Sequence, residues 1–207
     1  MNIKEKQILK DVYAVIADLW CCPSEIDSET KEMRRHTYEI INQLKNFDQE
    51  SALLLFKFIE RGTIREEDYI DLFELNPQCP LYLGSHTYDE PKTCANAAIS
   101  DRNKYMIELA AIYKHFRQQK DEKELSDYLP LMVDFLSLST ESRDDPIRDK
   151  FIKEYFLPFL PPMRSQLKKL KTHYLYLLDA LEKILNKEII IQPHLKQQEQ
   201  KVSSHVE

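Results

Sequence analysis

The chain has 207 residues, enough for one domain with a sizeable core. With only 2 glycines it argues against Gly-rich phosphate loops and tight-turned all-β architecture, and for helices joined by Pro, Asn and Asp turns. A net charge of −6 disfavours nonspecific binding to nucleic acid and suits an ordinary soluble surface.

Periodicity predicts a first helix over about 4–21, with Ile8, Val12, Val15 and Leu19 at helical spacing, stopped by Pro23. Ser28 is placed to cap a second helix running to about Leu44, with Met33, Ile40, Ile41 and Leu44 inward. Asp48 can cap a third. Its run 52–59 is apolar nearly all round, so a central, buried helix is expected, with Gly62 at its C-terminal cap. Thr63-Ile-Arg-Glu66 fits a capping box for a fourth helix, Glu66 to Leu75, ended by Asn76-Pro77.

Residues 77–100 lack clear periodicity and read as a long loop. A fifth helix over about 100–118 carries Met106, Leu109, Tyr113 and Phe116 on one face. The organising segment is Glu124-Leu-Ser-Asp-Tyr-Leu-Pro-Leu-Met-Val-Asp-Phe-Leu-Ser-Leu138. Ser126 or Asp127 is expected to cap it, and Pro130 fits the first turn. One face holds Leu131, Phe135 and Leu138, and an adjoining one holds Leu129, Met132 and Leu136.

Asp145-Pro146 reads as cap and first turn of a seventh helix, interrupted by Pro158, Pro161 and Pro162. A last helix over about 163–187 carries Leu167, Leu170, Tyr174, Leu177, Leu181 and Ile184 at three-four spacing, a seam against another helix. The expected organisation is one all-α helical domain over 1–190, a bundle of about eight helices, with a flexible C-terminal tail over 191–207.

Chemistry is hard to find. The cysteines, Cys21, Cys22, Cys79 and Cys94, form neither a CxxC pair nor a zinc knuckle, and no metal or cofactor is expected. No His-containing motif, nucleophile elbow or nucleotide loop is present, which leaves His86 and His115 as the only acid-base candidates. With neither a secretory run nor a membrane-length apolar stretch, a reduced, cytoplasmic protein is expected. Aromatic residues beside carboxylates on several helices suit a groove for an amphipathic peptide carrying basic residues. The competing readings are a helical adaptor dimerising through the last helix and a small hydrolase built on His86 or His115.

Four segments in order resemble a known family. Asp68-Tyr69-Ile-Asp-Leu72-Phe73-Glu-Leu75 is similar to the Tyr-x-x-x-Phe-Asp helix of the NarJ branch of the TorD/DmsD molybdoenzyme assembly chaperones. Leu81-Tyr82-Leu83, followed by His86 and Tyr88, resembles that branch's Leu-Tyr-Leu segment. Arg102-Asn-Lys-Tyr-Met106 resembles its Arg-Gly-x-x-Met/Leu helix. Glu124-Leu-Ser-Asp-Tyr-Leu-Pro130 with Asp134-Phe135-Leu136 resembles its Glu-Leu-Pro-Asp-x-Leu-Pro signature. The matched region covers about 64–138. The usual Gly-Asp is absent, Tyr88-Asp89-Glu90 stands nearby, and the loop to Arg102 is longer. These departures look more like the divergent chaperones of selenate, chlorate, dimethyl sulfide, ethylbenzene or nitrite oxidoreductases.

The resemblance implies a non-enzymatic, cytoplasmic, all-helical chaperone without a cofactor, monomeric or weakly dimeric. Its partner would be the catalytic subunit of a molybdopterin oxidoreductase, held through its N-terminal leader until the molybdenum cofactor is inserted. On that reading Tyr69, Phe73, Leu81, Tyr82 and Tyr128 line or support the peptide groove. Asp71, Asp127 and Asp134 meet the leader's arginines, and His86 and Arg102 order the rim.

Overall fold

A computed structural model describes residues 3–23, 27–62, 64–89, 100–118 and 124–203, with side chains excepted at 27–31, 33 and 191–203. Its helices are α1 (Ile3–Leu19), α2 (Asp27–Leu44), α3 (Gln49–Glu60), α4 (Glu66–Phe73), α5 (Asp101–His115), α6 (Leu129–Leu138), α7 (Pro146–Lys150), α8 (Leu160–Leu170) and α9 (Tyr174–Ser203). The fold is all-α. Among the described residues the only β pairing is an isolated antiparallel bridge between Tyr82 and Tyr128.

The expected organising segment is the core. In α6 Leu129, Met132, Val133, Phe135 and Leu136 are all buried. The helix packs along α1, whose Leu9, Val12, Tyr13 and Ile16 face it, and Ser137 Oγ donates to the Lys10 carbonyl at 2.8 Å. Leu131 is only half-buried and Leu138 is exposed, so the inward face is the one led by Leu129 and Met132. Pro130 lies in the first turn as expected, but the N-cap is Tyr128, with no side-chain cap bond. Ser126 and Asp127 face inward instead: Tyr113 Oη donates to the Ser126 carbonyl at 2.8 Å, and the Asp127 side chain reaches Gly84 and Arg102.

Several boundaries follow local chemistry. Asp48 caps α3, accepting from the amides of Glu50 and Ser51, and Gly62 follows the helix with φ +85°. Asn76 turns left-handed (φ 52°) just beyond α4. The N-cap of α4 is Arg65 rather than Thr63, which lies outside the described residues, and Arg65 grips Asp68 in a two-point ion pair at 2.9 Å. On α5 the buried face is Tyr105, Leu109, Ile112 and Tyr113, with Met106 only half-buried.

The C-terminal half departs most from expectation. Residues 146–170 form one winding run: α7, a π-helical stretch Phe151–Phe156, a 3₁₀ turn Leu157–Phe159, then α8. Pro158 has no amide to donate and its ring crowds the preceding turn, so the ladder widens ahead of it. Pro161 and Pro162 do not interrupt a helix; they sit in the first turn of α8. The expected single last helix is two, because Lys171 adopts a left-handed conformation (φ 53°) between α8 and α9. The backbone of α9 then runs on to Ser203, past the expected end near Lys187. Its seam residues Tyr174, Leu177, Leu181 and Ile184 are buried within the chain, mainly against α3. The run 52–59 is therefore covered on one side only. Ser51, Ala52, Leu55 and Phe58 face inward, while Leu53 is 54 % exposed. α3 is peripheral, and the central helices are α1 and α6.

Glu188 on α9 anchors this arrangement. It is fully buried, accepts from Tyr13 Oη at 2.6 Å, and pairs with Arg148 and with Arg143 Nε at 3.2 Å. Arg143 also donates to the Glu188 carbonyl at 2.8 Å, and Arg148 to Ser139 Oγ at 2.9 Å and the Leu136 carbonyl at 3.2 Å. Burial and the neighbouring Glu188 carboxylate push the Tyr13 phenol well above its usual range, so it stays a donor. Truncating one partner of a buried ion pair typically costs about 3–5 kcal/mol. Glu188→Ala is expected to lose that much in urea unfolding. A loss under about 1 kcal/mol, the level of a surface pair, would show that the two arginines find other partners.

Candidate functional site

The site is built from two short segments that meet side by side. Leu83 N donates to the Asp127 carbonyl at 2.9 Å and Leu129 N to the Leu81 carbonyl at 2.8 Å. This pairing sets Tyr82 against Tyr128, with ring centroids 5.3 Å apart and both rings half-buried. Tyr82 Oη donates to Glu124 at 3.0 Å, and burial with that carboxylate pushes its phenol up to about 12.

Behind the pair lies a buried polar knot. Asp127 is fully buried, and its Oδ2 accepts from Gly84 N at 3.1 Å and from Arg102 Nε and Nη2 at 3.4 Å. Leu81 is buried, and His86 Nε2 donates to the Pro80 carbonyl at 2.7 Å. Burial lowers the His86 pKa, so the neutral ring is favoured. Gly84 is required by close approach: a Cβ there would lie 2.7 Å from Asp127 Oδ2 and 3.3 Å from Tyr105.

On the other side, Tyr69 and Phe73 are buried in an aromatic cluster with Trp20 and Tyr174, and Tyr69 Oη donates to the Trp20 carbonyl at 2.9 Å. Cys21, next along the chain, interacts electrostatically with Tyr69 and Tyr128 and with Asp18 and Asp134. Cys21 also lines an apolar groove between the end of α1, α2 and α3, floored by Leu19, Phe58, Ile59, Ile64 and Tyr174 and edged by Asp18 and Arg34. Burial, with Asp18, Cys22 and Asp134 adding to it, pushes the Cys21 thiol up to about 11, so it stays protonated.

Asp18 thus edges the groove, and Asp134 of α6 is near enough to interact with it. Asp134 is half-buried, and Asp18 is exposed as a residue although protein surrounds much of its carboxyl. Burial raises both pKa values. The Asp18 charge raises that of Asp134 further, and nearby His36 opposes the rise at Asp18. Two like charges held together and partly desolvated favour a cation between them.

Of the residues expected in the site, none lines the groove itself: Tyr69 and Phe73 are buried in the aromatic cluster, Tyr82 and Tyr128 pair half-buried, and Asp134 interacts with Asp18 and Cys21. Leu81, His86, Arg102 and Asp127 form the knot behind the tyrosine pair. Asp71 is exposed on α4, and among the described residues no hydrogen bond or ion pair joins it to the others. Asp127 already meets a basic group, the chain's own Arg102, at a place without solvent access. Sequence reasoning missed Asp18 and the groove lining. One signal was available: an acid in the last turn of a helix opposes the helix dipole, and α1 has no basic residue there to offset it. Of the acid-base candidates, His115 does pair with Asp145 at 2.9 Å, but on the surface where Asp145 also caps α7.

No family model matches the chain. It is 25 % identical over 166 residues to the "Nitrate reductase molybdenum cofactor assembly chaperone NarJ" of Escherichia coli K12, and equally to that of Escherichia coli O157:H7, covering 77 % of this chain and 64 % of the relative. It is 27 % identical over 117 residues to the "Probable nitrate reductase molybdenum cofactor assembly chaperone NarW" of Escherichia coli K12, covering 56 % of this chain and 45 % of the relative. The matches thus span less than two thirds of those proteins. They support the NarJ-like resemblance carried by the motifs.

Two consequences are testable by stability alone. Gly84→Ala must displace a buried carboxylate or the Tyr105 ring and should cost about 1–3 kcal/mol; unchanged stability would mean the knot is not rigid. The raised carboxylates at Asp18 and Asp134 bind protons more tightly folded than unfolded. Folding stability therefore falls as pH rises from the unfolded carboxylate range through their raised values, and the loss persists above them. Asp18→Asn with Asp134→Asn should melt higher than wild type at neutral pH, with the difference vanishing in acid; a lower neutral melting temperature would contradict the strained pair.

Proposed function

We propose that this NarJ-like chain is a cytoplasmic chaperone for the catalytic subunit of a molybdopterin oxidoreductase, binding the subunit's N-terminal segment while it still lacks its cofactor. The observation that carries the reading is the carboxylate of Asp18 on the edge of the apolar groove, with Asp134 near it. The names of the relatives supply the client class, nitrate reductase-type molybdenum enzymes.

The mode is helix-in-groove. Apolar side chains of the segment displace water from Leu19, Phe58 and Ile59, and its arginines meet Asp18 and Asp134. Tyr82 and Tyr128, locked by the Asp127 knot, form the rim on the far side of Cys21. Binding draws both carboxylates into charge-assisted hydrogen bonds, each worth about 1.5–3 kcal/mol when partly desolvated. The segment is held away from export, and the subunit stays open for cofactor insertion. On this reading the chain acts as a binder rather than a catalyst, in keeping with relatives named as assembly chaperones.

The test is calorimetric titration with a synthetic amphipathic helix bearing two adjacent arginines beside a leucine face. Asp18→Asn with Asp134→Asn should weaken binding at least about tenfold, roughly 1.4 kcal/mol, while Asp71→Asn leaves it unchanged. Equal affinity in wild type and the double variant would remove both acids from the site. Pull-down of the tagged chain from its native cytoplasm should recover a cofactor-poor molybdoenzyme catalytic subunit; its absence from cells expressing such an enzyme would overturn the class.

A further inference from the structure

The run 52–59 is apolar nearly all round, interrupted by Lys57, yet the fold covers only one side of α3. The uncovered side is continuous. Leu53 is 54 % exposed, Phe56 is half-buried one turn on, and Tyr38 of the neighbouring α2 is 37 % exposed with its ring 5.9 Å from that of Phe56. Cations frame these rings. Lys45 Nζ stands 4.3 Å from the centre of Phe56, and Lys57 Nζ and Arg61 Cζ lie 5.9 and 6.0 Å from that of Tyr176 on α9. Among the described residues, none of these three cations is held by a carboxylate in an ion pair. Glu60 is the acid within the patch.

We propose that this outer face of α3 is a second docking surface, whose occupant is an acidic amphipathic helix of a partner polypeptide. Leucine-like side chains of the partner would lie on Leu53, Phe56 and Tyr38, and its carboxylates would meet Lys45, Lys57 and Arg61. The surface is distinct from the acid-rimmed groove and has the opposite sign. Its charge decides among occupants. A twofold pair of copies would set basic patch on basic patch, since an isologous contact uses the same surface twice. An anionic membrane would meet three cations on a molecule of net charge −6, most of whose surface it would repel. An acidic helix takes the cations and the apolar strip together, and its axis matches the strip along α3.

The probe is a synthetic amphipathic helix with leucines on one face and glutamates on the other, titrated into the full chain. It should bind wild type, bind more weakly as salt rises, and lose at least about tenfold in affinity, roughly 1.4 kcal/mol, to Lys57→Glu with Arg61→Glu. Asp18→Asn with Asp134→Asn should leave it unaffected, which separates this surface from the groove. These side chains are exposed, and unchanged melting of the charge-reversed variant shows that it is folded. As a second arm, the variant should gain affinity for the same peptide with lysines in place of glutamates. The proposal is overturned if the glutamate peptide does not bind, or binds equally well to the charge-reversed variant. It is also overturned if the patch variant instead abolishes a dimer seen by sedimentation, or abolishes binding to vesicles of phosphatidylglycerol and phosphatidylcholine.

Discussion

A buried carboxylate shared by two buried guanidiniums is the constraint on which the helix arrangement depends. Desolvating three charges is costly, and attraction in the interior offsets that cost only when geometry and hydrogen bonding are nearly complete. Around Glu188 they are: Tyr13, Arg143, Arg148, Ser139 and backbone carbonyls accept or donate within the knot. The contacts join α1, the turn after α6, α7 and the middle of α9. An apolar cluster of the same volume could be as stable, but it would tolerate a helix sliding by one turn. A carboxylate with fixed partners does not. The register of α9 follows, and with it the position of Tyr174, which floors the groove.

A smaller knot does the same for the Tyr82–Tyr128 pair. Asp127 draws in Arg102 and the amide of Gly84, and so holds the segment around Tyr82 against Tyr128. This explains why the acidic residue most prominent in the organising segment faces inward. A carboxylate that meets Arg102 without solvent access is structural first. The accessible negative charge then comes from Asp18 and Asp134, on the two central helices, whose packing brings them together.

How much of this was legible can be seen residue by residue. Asp48, Gly62, Asn76, Asp145 and Pro130 act where their local chemistry puts them, because caps and turns are decided within a few residues. The heptad-like seam of α9 is real, but the left-handed break at Lys171 was not foreseeable: nothing in Leu-Lys-Thr-His disfavours helix strongly, and tertiary contact decides it. The misplacement of α3 has another cause. Periodicity tells which residues avoid water but not whether a neighbouring helix or a separate molecule covers them. Asp127 illustrates the same limit for charge, since its partner Arg102 is 25 residues away.

That limit gives the nearly all-round apolar character of the run 52–59 its meaning. Phe58 and Ile59 turn toward a groove whose accessible charges include Asp18, while Leu53 and Phe56 turn toward Lys45 and Lys57. One helix thus serves two surfaces of opposite sign, and a net charge of −6 averages over both. A single amphipathic segment with one charged face cannot satisfy the two together: basic residues that suit Asp18 and Asp134 are repelled at Lys57 and Arg61. Apolar exposure on both edges of the same helix, with charges sorted by edge, separates two partners, or two parts of one partner, by electrostatics rather than by distance.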